Sequence, residues 1–382
     1  MNAWIAVQPD YLRHRNGEEQ SFSQRWIELA STQGIDARQV DVDALDFFDS
    51  LSGCQGFMWR FGFDPLSLQH AKRLLPAIEQ GMAIPVFPSW ESSWHFEDKI
   101  AQHYLLQAAG IPAPRTWVWW RRDDAERFAA SAKYPLVAKL STGFQSSNVR
   151  LLRNASEAND LIRRCFGGGL VSMEKPQSTI RQVLRHRIPG MRLLAGKPLP
   201  RGIQHGYLYV QEFLPDNSFD TRVTIIGDRA FAFRRFNRPG DFRASGSGRL
   251  DWNPAEVHAD AIRLAFRIAR QLGTQSVAVD VLRRGDERVA GEISYTYASW
   301  AVRDCPGHWR LHGTPAAGTL TWRGGKVHPE DAIFEDFMEV VARRKIREPC
   351  AHPLSNEVRQ TSLGVEDFGN ERVAGASGTI KS

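Results

Sequence analysis

The sequence feature that most constrains this chain is the segment of residues 276–294, SVAVDVLRRGDERVAGEIS. Two runs rich in β-branched residues flank a polar Gly285-Asp286-Glu287 turn, and this pattern is typical of a β-hairpin. If those three residues form the loop, Arg284 pairs with Arg288 across the two strands. The segment therefore predicts an antiparallel pair of strands with a fixed register.

The predicted register brings one acid from each strand to the same place. Alternate side chains share a face of a strand, so Asp280 lies opposite Glu292, roughly 5 Å away. Carboxylates that close repel each other unless one is protonated or a cation lies between them. A hard divalent ion such as Mg²⁺ takes oxygen ligands of this kind together with phosphates. A two-residue loop would put the acids on opposite faces, and a solvated hairpin face with incidental acids is the alternative interpretation.

Length and composition indicate an ordinary globular protein of two or three lobes, because 382 residues exceed what one core organises well. No apolar run approaches the ~18 residues of a membrane span, and the N-terminus lacks the pattern of a secretory signal. The four cysteines are scattered and form no CxxC pair, which fits reduced thiols. We therefore expect a cytoplasmic protein.

The net charge of +6 is modest for this length: it permits a nucleic-acid or membrane-surface partner but equally suits an anionic small-molecule substrate. Because no long Lys/Arg block and no nucleic-acid motif occurs, nucleic acid is not an expected partner.

The first 95 residues alternate between strand and helix patterns, which predicts a small α/β lobe with a parallel sheet. The predicted strands are Trp4–Val7, 56–61 and 84–88, and the predicted helices are 22–33 and 65–80.

An apolar strand at residues 135–140 carries Lys139 and runs into a loop of small residues, 141–148. A second strand follows at 149–152, so the pattern predicts a hairpin flap. Its backbone N–H groups and hydroxyls could fold over a phosphate, with Lys139 supplying a point charge. A plain surface hairpin is the alternative, and the chain contains no GxxxxGK[ST] sequence.

The remaining segments are mostly strands. Residues 170–206 are basic and punctuated by prolines, and they read as an insertion that either packs over the cleft or loops out. Strands are predicted at 207–214, 222–226 and 230–235, and the last two are antiparallel because their loop is short. A helix is predicted at 255–272, starting from Asn253-Pro254, and another at 329–344.

Four segments between about residues 95 and 300 together resemble the ATP-grasp superfamily. They are Asp98-Lys99 opening a helix that ends in Ala-Gly-Ile-Pro-x-Pro, Pro-Leu-Val-Ala-Lys139 before the flap, Gln-Glu-Phe-Leu214 before Asp220-x-Arg222, and Asp280 with Glu-Ile-Ser294. The resemblance implies a mixed α/β and α+β fold, in which a small N-terminal lobe precedes two α+β lobes that grip ATP. The expected domains are residues 1–95, 96–206 with the flap and the basic insertion, and 207–346 with the metal site. Residues 347–382 are expected to form a disordered tail.

The resemblance also implies roles for individual residues. Lys99 and Lys139 match the lysines that contact the ATP phosphates, and Ser146 and Ser147 occupy the flap that covers them. The backbone of a hinge strand reads the adenine edge in this family, and Asp220 matches a residue near the ribose. The hinge positions are Gln211, Glu212, Phe213 and Leu214.

Asp280 and Glu292 match the magnesium carboxylates. Ser294 stands where the family usually has asparagine and is the third metal-site residue, a shorter and weaker oxygen ligand that could bind the metal through water. Arg222, Arg235 and Arg243 resemble the basic residues that face the transferred phosphate and the substrate carboxylate in the RimK-like and glutathione-synthase-like branches. Two further departures are Ser245 in place of a common asparagine and Gln-Ser-Ser-Asn in the flap in place of a second glycine.

The activity implied by the resemblance is ATP-dependent ligation of a carboxylate to an amine through an acyl phosphate, with one or two Mg²⁺ ions, or Mn²⁺ in their place. The expected partners are small carboxylates and amines, among them an anionic amino acid, a sugar acid or a phosphorylated carrier, and a homodimer is the assembly considered. An ATP-grasp kinase and a non-catalytic nucleotide-binding module with a degraded metal site are the alternatives.

Overall fold

The computed structural model of the chain describes residues 4–10, 13–15, 18–143, 148–171 and 203–347. Two predictions lie outside these residues: the roles of Ser146 and Ser147 in the flap, and the disorder of the tail. Most of the basic insertion, residues 172–202, also lies outside them. Within the described residues the fold is mixed α/β and α+β, which confirms the predicted fold class.

The N-terminal part is built on a four-stranded parallel sheet, as the alternating pattern predicted. Its strand order is β4-β1-β5-β6, and β4 is a strand that the sequence analysis missed because its side chains are mostly exposed and polar. The elements are β1 (Trp4–Val7), β2 (Arg13–Arg15), β3 (Glu18–Gln20), α1 (Phe22–Thr32), β4 (Asp36–Gln39), α2 (Phe47–Ser50), β5 (Cys54–Met58), α3 (Pro65–Pro76), a π-helical turn (Ala77–Gly81), β6 (Val86–Phe87) and α4 (Trp90–Ser93).

The central part is an antiparallel sheet covered on one face by two helices. Its elements are α5 (Lys99–Ala108), β7 (Thr116–Trp119), α6 (Arg122–Ser131), β8 (Leu136–Lys139), β9 (Val149–Leu152), α7 (Ala155–Phe166), β10 (Leu170–Val171), β11 (Ile203–Gln204) and β12 (Leu208–Glu212). The strand order is β7-β12-β8-β9. Strands β8 and β9 pair directly, which confirms the predicted hairpin around the flap. Strand β12 completes this sheet, so the sheet extends beyond the expected domain boundary at residue 207.

The C-terminal part is a larger antiparallel sheet in the order β17-β16-β13-β14-β18-β19, with β15 paired to β14. Its elements are β13 (Phe219–Ile226), β14 (Arg229–Phe236), β15 (Leu250–Asp251), a 3₁₀ turn (Pro254–Glu256), α8 (Ala259–Leu272), β16 (Ser276–Arg284), β17 (Glu287–Ser294), α9 (Ser299–Arg303), β18 (Gly307–His312), β19 (Thr319–Gly324) and α10 (Pro329–Arg347).

The hairpin of β16 and β17 keeps the predicted pairing of its acids by an unexpected route. Asp280 lies opposite Glu292, as predicted, but Arg284 pairs with Glu287 and not with Arg288, so the turn has two residues. A β-bulge restores the register: between the Asp280 and Val281 pairs, β17 contains one extra residue, Gly291. The prediction of a three-residue loop was therefore wrong.

Helix α8 starts later than predicted. Residues Pro254–Glu256 form a 3₁₀ turn, and Val257 then leaves the helical conformation with φ −90° and ψ 117°. The side chain of Val257 is buried in the core under the sheet, which favours this break. The helix begins at Ala259, where the imidazole of His258 accepts the backbone N–H of Asp260.

The two faces of the large sheet bury different cores. One face packs on α8, whose apolar stripe lies against residues such as Val223, Val277 and Val279. The opposite face joins a second core that also contains Trp26 and Phe87 of the N-terminal part, together with residues of α10. None of the described helices is both long and apolar enough to cross a membrane.

Candidate active site

A cavity of about 720 Å³ opens between the central sheet and the C-terminal sheet. Its size falls in the range of small-molecule sites. Its charged lining residues are Lys99, Lys139, Glu212, Asp216, Asp220, Arg235, Asp241, Arg243, Asp280 and Glu292. Most of the residues that sequence reasoning selected on separate segments therefore meet in this one cleft. Arg222 and Ser294 do not line it.

Cross-strand pairing explains how charged residues come to share one face of the C-terminal sheet. Asp220 lies opposite Arg235, Arg222 lies opposite Asp280, and Asp280 in turn lies opposite Glu292. Because side chains at directly opposed positions project to the same face, the strands β14, β13, β16 and β17 each contribute at least one charge.

The Asp280 carboxylate is held by two guanidinium groups. Arg222 donates from Nε to Oδ1 at 2.7 Å and from Nη2 to Oδ2 at 2.9 Å. Arg235 approaches Oδ2 at 2.5 Å. Burial opposes the negative charge, but the attraction of Arg222 and Arg235 outweighs it and holds the pKa of Asp280 well below its ordinary value. Asp280 is therefore ionised at neutral pH.

Two lysines bring positive charge to the same cleft from the central part of the chain. Lys99 donates from Nζ to the carbonyl oxygen of Gly143 at 2.8 Å and to Oε1 of Glu292 at 3.1 Å, so it joins the flap to the acid hairpin. Lys139 ends β8. Burial lowers the pKa of Lys139 to about 8, with Glu292 opposing this shift and Lys99 adding to it.

The stem of the flap is tied to the start of α5. Oδ1 of Asp98 accepts the hydroxyl of Ser141 at 2.7 Å and also caps α5 by accepting two of its backbone N–H groups. The backbone N–H of Ser141 points to Gln204 Oε1 at 2.9 Å and to the Tyr207 hydroxyl at 2.8 Å. Sequence reasoning missed these supporting contacts of Ser141, Gln204 and Tyr207, although Ser141 follows the strand of Lys139 almost directly.

The hinge residues differ in what their side chains do. Gln211 is buried and donates to Thr116 and Tyr209. Oε1 of Glu212 accepts the backbone N–H of Arg115 at 2.8 Å and Nη1 of Arg284 at 3.1 Å, so Glu212 links the central sheet to the acid hairpin.

The aromatic ring of Phe213 meets that of Phe242 edge to face, with ring centroids 5.8 Å apart. The loop that carries Phe242 thus forms the wall of the cleft beside the hinge. Leu214 and Ser245 also line the cavity.

Arg243 lies on that same loop. Its guanidinium donates to both oxygens of Asp241 at 2.6–2.9 Å. Its position borders the cleft on one side and, on the other, a groove of about 1040 Å³ along β9 and α7. In this arrangement Arg243 lies beside the cleft and not among the cross-strand charges.

The donor atoms fit a divalent cation at the two paired carboxylates. Among the described residues no three His, Cys, Asp or Glu side chains cluster around one point, so a metal ion would need ligands besides protein carboxylates. Mg²⁺ commonly binds in this way, through one or two carboxylates plus phosphate oxygens and water. Asp280 and Glu292 each have oxygen lone pairs beyond those used by their cationic partners. The Ser294 hydroxyl instead donates to the carbonyl oxygen of Thr296 at 2.7 Å.

Comparison with known proteins was made at three levels. No family model matches the chain. A probable alpha-L-glutamate ligase of Xanthomonas campestris pv. campestris is 25% identical over 230 residues, which are 58% of this chain and 63% of that protein. An N5-carboxyaminoimidazole ribonucleotide synthase of Mycobacterium bovis is 29% identical over 126 residues, which are 32% of this chain and 29% of that protein. The chain thus spans less than two thirds of the length of these curated relatives.

Among solved structures, the ATP-grasp ligase PsnB complexed with a minimal precursor superposes with a TM-score of 0.51 at 15% sequence identity. The alignment covers 89% of this chain and 99% of that chain. The three-sheet architecture and the cleft between the central and C-terminal sheets are therefore those of the ATP-grasp fold. The resemblance to the ATP-grasp superfamily found in the sequence is therefore confirmed, and the chain has the ATP-grasp fold.

Proposed function

We propose that this chain is an ATP-dependent carboxylate–amine ligase that works through an acyl phosphate. The observation that carries the proposal is the charge arrangement of the cleft. Three cations that line it, Lys99, Lys139 and Arg235, lie around three carboxylates, two of which face each other on adjacent strands. Arg222 adds a fourth cation, which contacts Asp280 without lining the cleft. Phosphoryl transfer depends mainly on positioning and charge neutralisation, and such a cluster supplies both.

The proposed roles follow from where the side chains lie. Lys99 and Lys139 would hold phosphate oxygens of ATP between the flap and the acid hairpin. The hinge strand at Gln211 would place the adenine beside the wall that carries Phe242. Mg²⁺, held by Asp280 and Glu292, would neutralise charge on the phosphates when it is bound.

The reaction would proceed in two substitutions. A substrate carboxylate oxygen attacks the γ-phosphorus, the bond to the β–γ bridging oxygen breaks, and ADP leaves. An amine nitrogen then attacks the acyl carbon, phosphate leaves with the C–O electron pair, and the amine loses a proton as the amide forms. Arg243, on the wall of the cleft, would face the substrate carboxylate, and the flap would keep water from the acyl phosphate.

The substrates are part of the proposal. The names of the relatives favour an anionic substrate: one is a probable alpha-L-glutamate ligase and the other an N5-carboxyaminoimidazole ribonucleotide synthase. The arginine-rich lining of the neighbouring groove favours the same class of substrate. An acidic amino acid, a sugar acid and a phosphorylated carrier remain the candidate classes. The cytoplasmic location, the homodimer and the choice between Mg²⁺ and Mn²⁺ stay predictions.

The division into residues 1–95, 96–206, 207–346 and a tail is also a proposal. The pairing of β12 with β7 and β8 favours moving the second boundary to the loop at residues 213–218.

The test is a screen for ADP and phosphate release with acids and amines supplied in pairs. Release that requires both an acid and an amine supports the ligase. Release with an alcohol alone would identify a kinase, and nucleotide binding without turnover would identify a non-catalytic module; either result refutes the proposal. Lys139→Ala should abolish release, whereas Lys133→Ala, an equal truncation at an exposed site next to the same strand, should not.

A further inference from the structure

Asp220 has both of its carboxylate oxygens occupied by one neighbour. Arg235, directly opposite on β14, donates from Nε to Oδ1 and from Nη2 to Oδ2, each at 2.7 Å. The two side chains are only 10% and 7% exposed. A forked pair of this kind fixes both side chains in one orientation. Arg235 therefore uses about half of the acceptor sites of Asp220, the residue whose position in the family implied a contact with a ribose.

The guanidinium of Arg235, held in place by Asp220, also contacts Asp280, one of the two carboxylates proposed to bind the cation. Its Nη2 also lies 2.5 Å from Oδ2 of Asp280, while Arg222 takes one site on each oxygen of that carboxylate. An ionised carboxylate has about four acceptor sites, two on each oxygen. Both sites on Oδ2 of Asp280 are used, and one of the two on Oδ1. The contacts of the described residues leave a single acceptor site on Oδ1, on a side chain that lines the cleft opposite Glu292.

We propose that Asp220 is a positioning residue: acting through Arg235, it holds Asp280 so that one oxygen, Oδ1, stays available to a divalent cation. The inference rests on the proposed function, because the cation is the one that accompanies ATP. Residues that orient a metal ligand commonly change metal affinity by about 10- to 100-fold when they are replaced.

The loss of Asp220 has a definite geometric consequence. Nε and Nη2 of Arg235 would lose their partner, and the same fork would be free to turn onto Asp280. It would then cover Oδ1 as well as Oδ2. A buried guanidinium without its own counter-charge would also repel the incoming cation. Both effects lower the affinity for the cation, and neither involves the ribose.

The experiment compares Asp220→Asn with the wild-type chain, using Mn²⁺ as a spectroscopic probe. Free Mn²⁺ is followed by electron paramagnetic resonance during titration, first without nucleotide and then with a non-hydrolysable ATP analogue. We expect Asp220→Asn to bind Mn²⁺ about tenfold more weakly. The ratio of the affinities for ATP and 2′-deoxy-ATP should stay at its wild-type value.

Two further variants keep the result decisive. Arg235→Lys retains the charge but loses the fork, so it should also weaken Mn²⁺ binding even if Asp220→Asn fails to fold. Asp251→Asn is the matched control, because Asp251 pairs with Arg234, which directly precedes Arg235 in β14 and does not line the cleft. It should leave Mn²⁺ affinity unchanged.

Wild-type Mn²⁺ affinity in both Asp220→Asn and Arg235→Lys would overturn the inference, and so would a loss of discrimination between ATP and 2′-deoxy-ATP in Asp220→Asn. Failure of the proposed function looks different: the wild-type chain would bind no ATP analogue, while the titrations with Mn²⁺ alone would still decide the role of Asp220.

Discussion

The charge of Lys139 gives the sharpest prediction about nucleotide binding. Burial lowers the pKa of this lysine to about 8, so it loses its proton within an accessible pH range. The protonated fraction of such a group falls from about nine tenths at pH 7 to about one tenth at pH 9. Phosphate oxygens favour the protonated form of Lys139, so ATP binding raises the pKa of this lysine. The affinity for ATP therefore falls in proportion to the fraction of free protein in which Lys139 is protonated. We expect the affinity for an ATP analogue to fall about tenfold between pH 7 and pH 9.

Isothermal titration calorimetry at half-unit steps of pH measures this directly. Lys139→Arg is the matched control, because a guanidinium keeps its charge throughout the range and should show no inflection near pH 8. Changes in the ionisation of ATP itself affect both proteins equally. Parallel pH profiles for the two proteins would refute the assignment of Lys139 as a phosphate ligand with a lowered pKa.

The same lysine predicts the sign of a stability change. A lysine whose pKa is lowered on folding binds fewer protons in the folded state than in the unfolded chain between pH 8 and its ordinary value of 10.5. The contribution of Lys139 to the free energy of unfolding should therefore rise with pH across this window and be absent in Lys139→Met. Urea denaturation at several pH values compares the two proteins, and a contribution that falls with pH would contradict the shift.

Two further predictions concern the fold. A methyl group on Gly291 would lie 3.0 Å from a methyl group of Leu282 and 3.3 Å from the carbonyl oxygen of Asp280, so Gly291→Ala should lower the free energy of unfolding by about 1 kcal/mol. Gly81→Ala is the control, because a methyl group added there meets no atom within 4 Å. Equal effects of the two substitutions in urea denaturation would contradict the bulge. Trp26 is fully buried in the core shared by two parts of the chain, so Trp26→Ala should cost about 3–5 kcal/mol, whereas Trp120→Ala, 56% exposed, should cost little; a small loss for Trp26 would argue against that shared core.

The acid hairpin shows both the strength and the limit of sequence reasoning. The pairing of Asp280 with Glu292 was predicted correctly, but from a loop that does not exist. The alternation of β-branched residues predicts the two strands. A shift of one residue in their pairing register can be produced equally well by a longer turn or by a bulge. Gly291 marked the bulge, yet a lone glycine in a strand is compatible with several local structures.

Contacts among the charged residues were partly within reach of the sequence. A two-residue turn at Gly227-Asp228 is enough to place Asp220 opposite Arg235. The pair of Arg222 with Asp280 was not predictable in the same way, because two strands, a 3₁₀ turn and a helix separate β13 from β16. Their relative register is set by packing on α8 and not by any local turn.

The lining of the cleft was found mainly through motifs, since periodicity alone does not bring distant segments together. Lys99, Lys139, Asp280 and Glu292 share one cavity, as the order of the four segments suggested. The contacts of Phe242 with the hinge and of Ser141 with Asp98 came only from the structure, because short polar loops carry no periodic signal.

The core shared by the N-terminal and C-terminal parts decides which part of the protein can move. Trp26 donates its indole N–H to the backbone of Glu330, and Arg25 forms a forked ion pair with Asp331, so the first and last parts of the described chain are joined as one body. Among the described residues, no strand of the central sheet contributes to that core, and polar contacts such as that of Glu212 with Arg284 join this sheet to the C-terminal part. We therefore expect the central sheet to rotate as a rigid body relative to the other two parts during nucleotide entry and product release. The rotation would move Lys139 away from Asp280 and Glu292, and the hinges would be residues 109–115 and 213–218.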